Sequence, residues 1–215
     1  MNYDEGYIKY DIEWAPGPAA FVAAARELDT WRRPLFEAGL IGVYEDLDIG
    51  YGNLSMRCGE PGQFLISGTQ TGRLATTDES HYSLVTQVDI VANTVSCVGP
   101  VKASSEAMTH AAIYALDDGI GAIVHVHSGR LWKRYLGELP TTDAEVAYGT
   151  PEMAREFSRL FAHTDFGRIG VAVMAGHDEG LISFGPSIED AARRMLALAQ
   201  PVEPEPTRNE TSGKP

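Results

Sequence analysis

His125-Val126-His127 closes an apolar run, Ala122-Ile123-Val124, that is rich in β-branched side chains. Successive side chains of a strand point to opposite faces, so the two imidazoles emerge on the same side. Two imidazoles held that close on rigid backbone form half of a metal site, because neutral imidazole is a common ligand for zinc-like ions. Two other stretches are candidates for the remaining ligands. Val171-Ala172-Val173-Met174 repeats the pattern of a buried strand and leads into His177, and Lys102-Ala103-Ser104-Ser105-Glu106 opens a helical stretch with a carboxylate. The His-x-His pair alone also reads as a half-exposed strand; its conjunction with His177 and Glu106 is what favours metal binding.

Two small-residue stretches read either as anion sites or as plain turn and cap chemistry. Thr69-Gln70-Thr71-Gly72 follows a strand and is flanked by glycines that allow close backbone approach. Ser104-Ser105 stands at a helix start, where unpaired N–H groups favour a phosphate or carboxylate. Glu106 and His110 are four apart and share a helical face, so His110 either orients Glu106 or fills the core; the structural role is the reading adopted. His81 and His163 have no partner pattern and read as surface or capping residues.

The elements that must position these groups follow from periodicity and punctuation. Residues 1–14 form a polar, tyrosine-rich arm lying on the body or on a neighbour. A packing helix starts at Pro16-Gly17-Pro18, with Phe21, Val22, Ala25, Leu28 and Trp31 on its apolar face, a kink or restart at Pro34 and a stop at Gly39. Strands are expected over 53–57, 64–66, 82–90 and 94–98, with hairpin-short turns between partners. A helix capped by Ser104 or Ser105 should run to about Asp118, where Gly119 and Gly121 end it. Further helices are expected over 130–136, 151–162 and from the Ser187 cap to Leu198, with strands at 169–174 and 181–184. Strands first, then helices interleaved with strands, predict an α/β fold with one mixed sheet covered by helices, largely antiparallel in its first half. Residues 1–200 read as one domain, and 201–215, rich in proline and glutamate, as a disordered tail.

A chain of 215 residues with 44% hydrophobic and 22% charged residues can bury a sizeable core. Its formal net charge of −13 argues against nucleic acid or an anionic membrane as partner. A phosphate-bearing ligand must then be held by local dipoles and a metal against an unfavourable field. Cys58 and Cys97 make no disulfide framework, and no signal or membrane-spanning run is evident, so a cytoplasmic protein is expected.

Gly52-Asn53-Leu54-Ser55, the 67–72 stretch Ser-Gly-Thr-Gln-Thr-Gly, Ser104-Ser105-Glu106, His125-Val126-His127-Ser128 and Gly176-His177 together resemble the class II aldolase/adducin family in order and spacing, over about residues 20–199. The resemblance implies a three-layer α/β/α fold and a homotetramer with active sites between subunits. It implies zinc, or another divalent metal such as Mn2+ or Co2+, held by His125, His127 and His177, with Glu106 as ligand and acid/base. Asn53, Thr71, Gly72, Ser104 and Ser105 match positions that hold a substrate phosphate or similar anion.

The activity so implied is a lyase of aldolase type in carbohydrate metabolism. The metal would act as Lewis acid on a small phosphorylated or anionic hydroxy-ketone or sugar and stabilise the enediolate left by C–C cleavage, while Glu106 shuttles the proton. An epimerase, decarboxylase or dehydratase could use the same site, and a non-catalytic adducin-like module is the rival from another class. Two departures stand out. The short stretch 129–139 offers no match for the family's tyrosine donor, leaving Asp143 and Tyr148 as candidates for an acid/base or as turn and cap residues. Asp178-Glu179 follows His177 where relatives often have glycine, and reads as a solvated turn or as carboxylates that tune the metal or recognise ligand.

Overall fold

The structure, a computed structural model, describes residues 7–200. Its strands are β1 (Asp11–Pro16), β2 (Gly42–Tyr44), β3 (Ile49–Tyr51), β4 (Asn53–Arg57), β5 (Phe64–Ser67), β6 (Tyr82–Asp89), β7 (Thr94–Gly99), β8 (Ala122–His127), β9 (Val171–Val173) and β10 (Gly180–Gly185). Its helices are α1 (Val22–Glu37), α2 (Ala107–Tyr114), α3 (Gly129–Tyr135), α4 (Pro151–His163), α5 (Phe166–Ile169) and α6 (Ile188–Ala199). Eight strands form one sheet in the order β1-β7-β6-β5-β4-β8-β10-β9, and β2 pairs with β3 alone. Only β1 runs parallel to its neighbour in the large sheet, so the expected mixed, largely antiparallel sheet is what forms.

Each face of the sheet carries its own core, which makes three layers. One core joins Phe64, Ile66, Ile123 and Ile182 to Met108 and Ile113 of α2 and to Phe157 of α4. The other joins Leu54, Leu65, Val124 and Leu181 to Leu28 of α1, Leu131 of α3 and Met195 of α6. Strand β8 is buried along its whole length, with Ala122, Val124 and Val126 in the second core and Ile123 in the first. His125 and His127 therefore take the remaining positions on the α2 and α4 side, as period two requires.

Cap chemistry explains the later helices. Thr150 accepts from the Met153 amide ahead of Pro151, and Ser187 accepts from that of Asp190, with Glu189 and Asp190 against the positive helix end. Two expected helices need correction. Helix α1 starts at Val22, after Phe21 in the left-handed region, because Pro16 belongs to β1; it continues through Pro34 to Glu37, with Leu35 buried in the core beyond the proline. Helix α2 has Glu106 rather than Ser104 or Ser105 at its N-cap and ends at Tyr114. Ser104 Oγ instead accepts from the Glu106 amide, and Arg57 takes the carbonyls of Tyr114 and Ile120, drawing the chain out of the helix before Asp118. The N-terminal arm lies on the body, with β1 along β7, and the small β2–β3 ribbon was not anticipated. Residues 1–6 of the arm and the expected tail at 201–215 lie outside the described residues.

One buried charge ties α1 to a loop that matters below. Arg32 is fully buried and donates from Nε to the Leu74 carbonyl (2.9 Å) and from Nη2 to those of Thr71 (2.6 Å) and Gly72 (3.2 Å). Removing the guanidinium leaves three carbonyls short of a donor. Arg32→Met is expected to lower the unfolding free energy by about 3 kcal/mol, and Arg32→Lys to restore only part of it because an ammonium lacks the planar fork. Urea unfolding of the three proteins checks both.

Candidate metal centre and anion cleft

The structure brings His125, His127 and His177 together. Their Nε2 atoms stand 3.0 Å (125–127), 3.1 Å (127–177) and 3.3 Å (125–177) apart, and each side chain is buried. His177 reaches the cluster from the turn between β9 and β10, where its amide bonds the Met174 carbonyl. Burial holds the imidazoles neutral at pH 7: it pushes His125 down to about 4 and His127 and His177 well below the ordinary value. The Nδ1 of His125 lies 3.1 Å from the Leu181 carbonyl, which can only accept. Its proton therefore sits on Nδ1, and Nε2 presents a lone pair to the cluster. Three nitrogens held tetrahedrally at about 2.0–2.1 Å from one ion would stand roughly 3.3 Å apart, so the cluster has the dimensions to hold a divalent cation.

Glu106 supplies the negative charge. As the N-cap residue of α2 it makes no capping hydrogen bond, is buried, and sets Oε1 3.3 Å from Nε2 of His177. Beyond a weak contact with the Thr109 side chain, the two carboxylate oxygens are poorly satisfied among the described residues, which fits a group suited to a cation. Burial pushes its carboxyl up to about 7, against the opposing pull of the Thr109 side chain and the Lys9 ammonium. His110 does not orient Glu106. Its Nδ1 is 2.7 Å from Ser55 Oγ, which lies 2.8 Å from the Tyr114 hydroxyl, so it is a core histidine holding α2 to β4.

Asn53, Thr71, Gly72, Ser104 and Ser105 line one polar cleft together with Gly68. Asn53 pairs with His125 across β4 and β8, and Ser105 precedes Glu106, so the cleft adjoins the histidines. Gly72 must be glycine here. A Cβ would run into the Gly42 carbonyl and the Tyr51 backbone, because the β2–β3 ribbon packs directly on the loop. Among the described residues the buried Asn53 Oδ1 has no hydrogen-bond partner, another polar atom open to a ligand.

The other sequence candidates sit elsewhere or do something different. Asp143 is exposed and its Oδ1 accepts from the Glu145 amide at 2.8 Å, a turn contact. Tyr148 packs its ring 4.3 Å from that of His177, but its hydroxyl bonds the backbone carbonyl (3.1 Å) and amide (3.2 Å) of Tyr7. Asp178 is exposed, whereas Glu179 accepts from the Tyr44 hydroxyl at 2.9 Å and so belongs to the site's surroundings rather than to a solvated turn. His81 completes a capping box with Asp78, and His163 ends α4.

Residues that sequence reasoning missed come from the arm and the ribbon. Lys9 places its ammonium 3.9 Å over the Tyr148 ring, and the Tyr10 hydroxyl donates to the Ser104 carbonyl at 2.7 Å. The Tyr44 hydroxyl lies 3.0 Å from His127 Nδ1. The arm does carry a signal, Ile8, Tyr10, Ile12 and Trp14 alternating with polar residues at a period of two, whereas β2 is only three residues long and records none. Replacing His110 by phenylalanine is expected to cost about 1–3 kcal/mol, because the Ser55 hydroxyl stays buried with one partner fewer. Thermal or urea unfolding measures it; an unchanged stability would remove His110 from the role of a core polar tie.

The family model for the class II aldolase and adducin N-terminal domain matches residues 44–203. Among solved structures, an L-fuculose 1-phosphate aldolase is 20% identical with a TM-score of 0.62, covering 84% of this chain and 85% of that one. YgbL from Klebsiella pneumoniae, provisionally described as an aldolase/epimerase/decarboxylase, is 21% identical with a TM-score of 0.61 and coverage of 82% and 85%. A sugar-phosphate aldolase from Thermotoga maritima is 18% identical, with a TM-score of 0.61 and coverage of 82% and 90%. At such identities these likenesses speak for the fold alone, whereas the family model spans most of the chain. This chain belongs to the class II aldolase/adducin family.

Proposed function

We propose that this chain is a divalent-metal-dependent lyase of aldolase type, acting on a small phosphorylated or otherwise anionic hydroxy-ketone or sugar. The observation that carries the reading is the convergence of three imidazole Nε2 atoms within 3.3 Å, beside the buried Glu106 carboxylate, whose Oε1 is itself 3.3 Å from His177 Nε2. His125, His127 and His177 would hold the ion with Glu106 beside them; zinc suits this donor set, as do Mn2+ and Co2+. When bound, the ion would polarise a substrate carbonyl and offset the negative charge that develops on oxygen as a C–C bond breaks.

The remaining work falls to the protein. Ser104, Ser105, Thr71, Gly72 and Asn53 line the cleft that would seat the anionic end of the substrate. Hydroxyls and backbone amides suit that task in a chain of net charge −13, because they recognise an anion through oriented dipoles. Glu106, with its carboxyl pushed by burial to about 7, can take up and return a proton near neutral pH. An epimerase or decarboxylase on the same residues is the second reading, supported by the engagement of the Tyr148 hydroxyl with Tyr7, which leaves the sequence's tyrosine candidate turned to the backbone. The assembly proposed is a homotetramer with sites at subunit boundaries, in the cytoplasm; among the described residues no helix is long and apolar enough to cross a membrane.

Protein purified without chelator is expected to contain about one divalent ion per chain, and His125→Ala to lose it while keeping its far-UV circular dichroism. Metal content unchanged in that variant would overturn the ligand assignment. Glu106→Gln is expected to keep most of the metal and to lose about 10²–10⁴-fold in retro-aldol turnover on sugar phosphates. Full activity would exclude Glu106 as the acid/base. A folded, metal-free wild type would favour a binding module instead.

A further inference from the structure

We propose that Tyr44 and Glu179 form a hydrogen-bond relay that fixes the tautomer of His127 and so sets the affinity of the histidine cluster for its ion. The proposal rests on the reading of that cluster as a metal centre. The Tyr44 hydroxyl lies 2.9 Å from Glu179 Oε2 and 3.0 Å from His127 Nδ1. A carboxylate only accepts, so the single phenol proton goes to Glu179, and the oxygen is left to accept from His127. His127 must then carry its proton on Nδ1, which leaves the Nε2 lone pair facing His125 at 3.0 Å and His177 at 3.1 Å. A carboxylate behind the phenol also makes its oxygen a stronger acceptor, and the imidazole a better donor to a cation, than a lone hydroxyl would.

The backbone at Glu179 supports the assignment. Glu179 has φ +66°, in the left-handed region that favours glycine, yet the position carries a long acidic side chain. That side chain lies over Gly129, where a Cβ would meet Oε1 at 2.6 Å, so the start of α3 leaves room for it. The Tyr44 ring is braced 4.6 Å from that of Tyr51, the partner strand's last residue. Three elements distant in sequence, β2, β8 and the turn before β10, thus meet through one phenol oxygen.

The test is a chelator-buffered Zn2+ titration of metal-stripped wild type, Tyr44→Phe and Glu179→Gly, with the melting temperature of each metal-free protein beside it. Both variants are expected to bind about 10–100-fold more weakly. Glu179→Gly should keep or raise its metal-free melting temperature, because glycine relieves the left-handed backbone; a merely structural role for Glu179 would lower it and spare the affinity. The ¹⁵N resonances of His127 in metal-free wild type should show a protonated Nδ1, and Tyr44→Phe should mix the tautomers. Zinc affinity equal to wild type in Tyr44→Phe, or a proton on Nε2 of wild-type His127, overturns the relay while leaving the metal centre standing. Wild type that binds no zinc overturns the metal reading and the relay with it.

Discussion

Three imidazole nitrogens held within 3.3 Å of one another in a buried place are the constraint to which the rest of this structure answers. Burial keeps the rings from protonating, so the nitrogens stay available as ligands rather than as cations. The arrangement survives because its backbone is over-determined. Strand β8 is locked between β4 and β10, its alternate residues fill the opposite core, and His177 hangs from a turn bonded on both sides. Precise placement of ligands on rigid elements is what a polar centre in a hydrophobic layer demands.

The contacts behind the rings decide which nitrogen faces inward. A backbone carbonyl does this for His125 and a phenol for His127, two chemically different answers to one requirement. Glu106 completes the pattern by leaving its helix-cap position unused, so its charge points to the cluster instead of to the helix amides. Its carboxyl sits near neutrality because burial outweighs the help of Thr109 and Lys9.

The anion cleft depends on a different kind of support. Its loop is glycine-rich and has few side chains of its own to anchor it, so Arg32 grips three of its carbonyls from behind while the β2–β3 ribbon presses on Gly72. A strongly acidic chain thus spends a buried arginine on holding a wall in shape and leaves ligand recognition to hydroxyls and amides. The family model begins at Tyr44, and Lys9, Tyr10 and the whole of β1 lie outside the stretch it matches.

The amino-acid sequence by itself determined the central strand, the face from which His125 and His127 project, the cap at Ser187, and the segments that carry His177, Glu106 and the cleft. These are local matters: a period of two or a capping hydroxyl acts within a few residues and leaves its mark on their order. Tertiary structure alone decided that Glu106 stands at the N-cap, that Arg32 serves the loop, that Asp143 stays out in solvent, and that the arm pairs with β7 at the sheet edge. It alone joined Tyr44 to His127 and to Glu179, partners separated by 83 and 135 residues. Such pairs depend on strand order and on how a ribbon packs over a sheet, and nothing in the periodicity of either segment records which distant side chain will lie opposite.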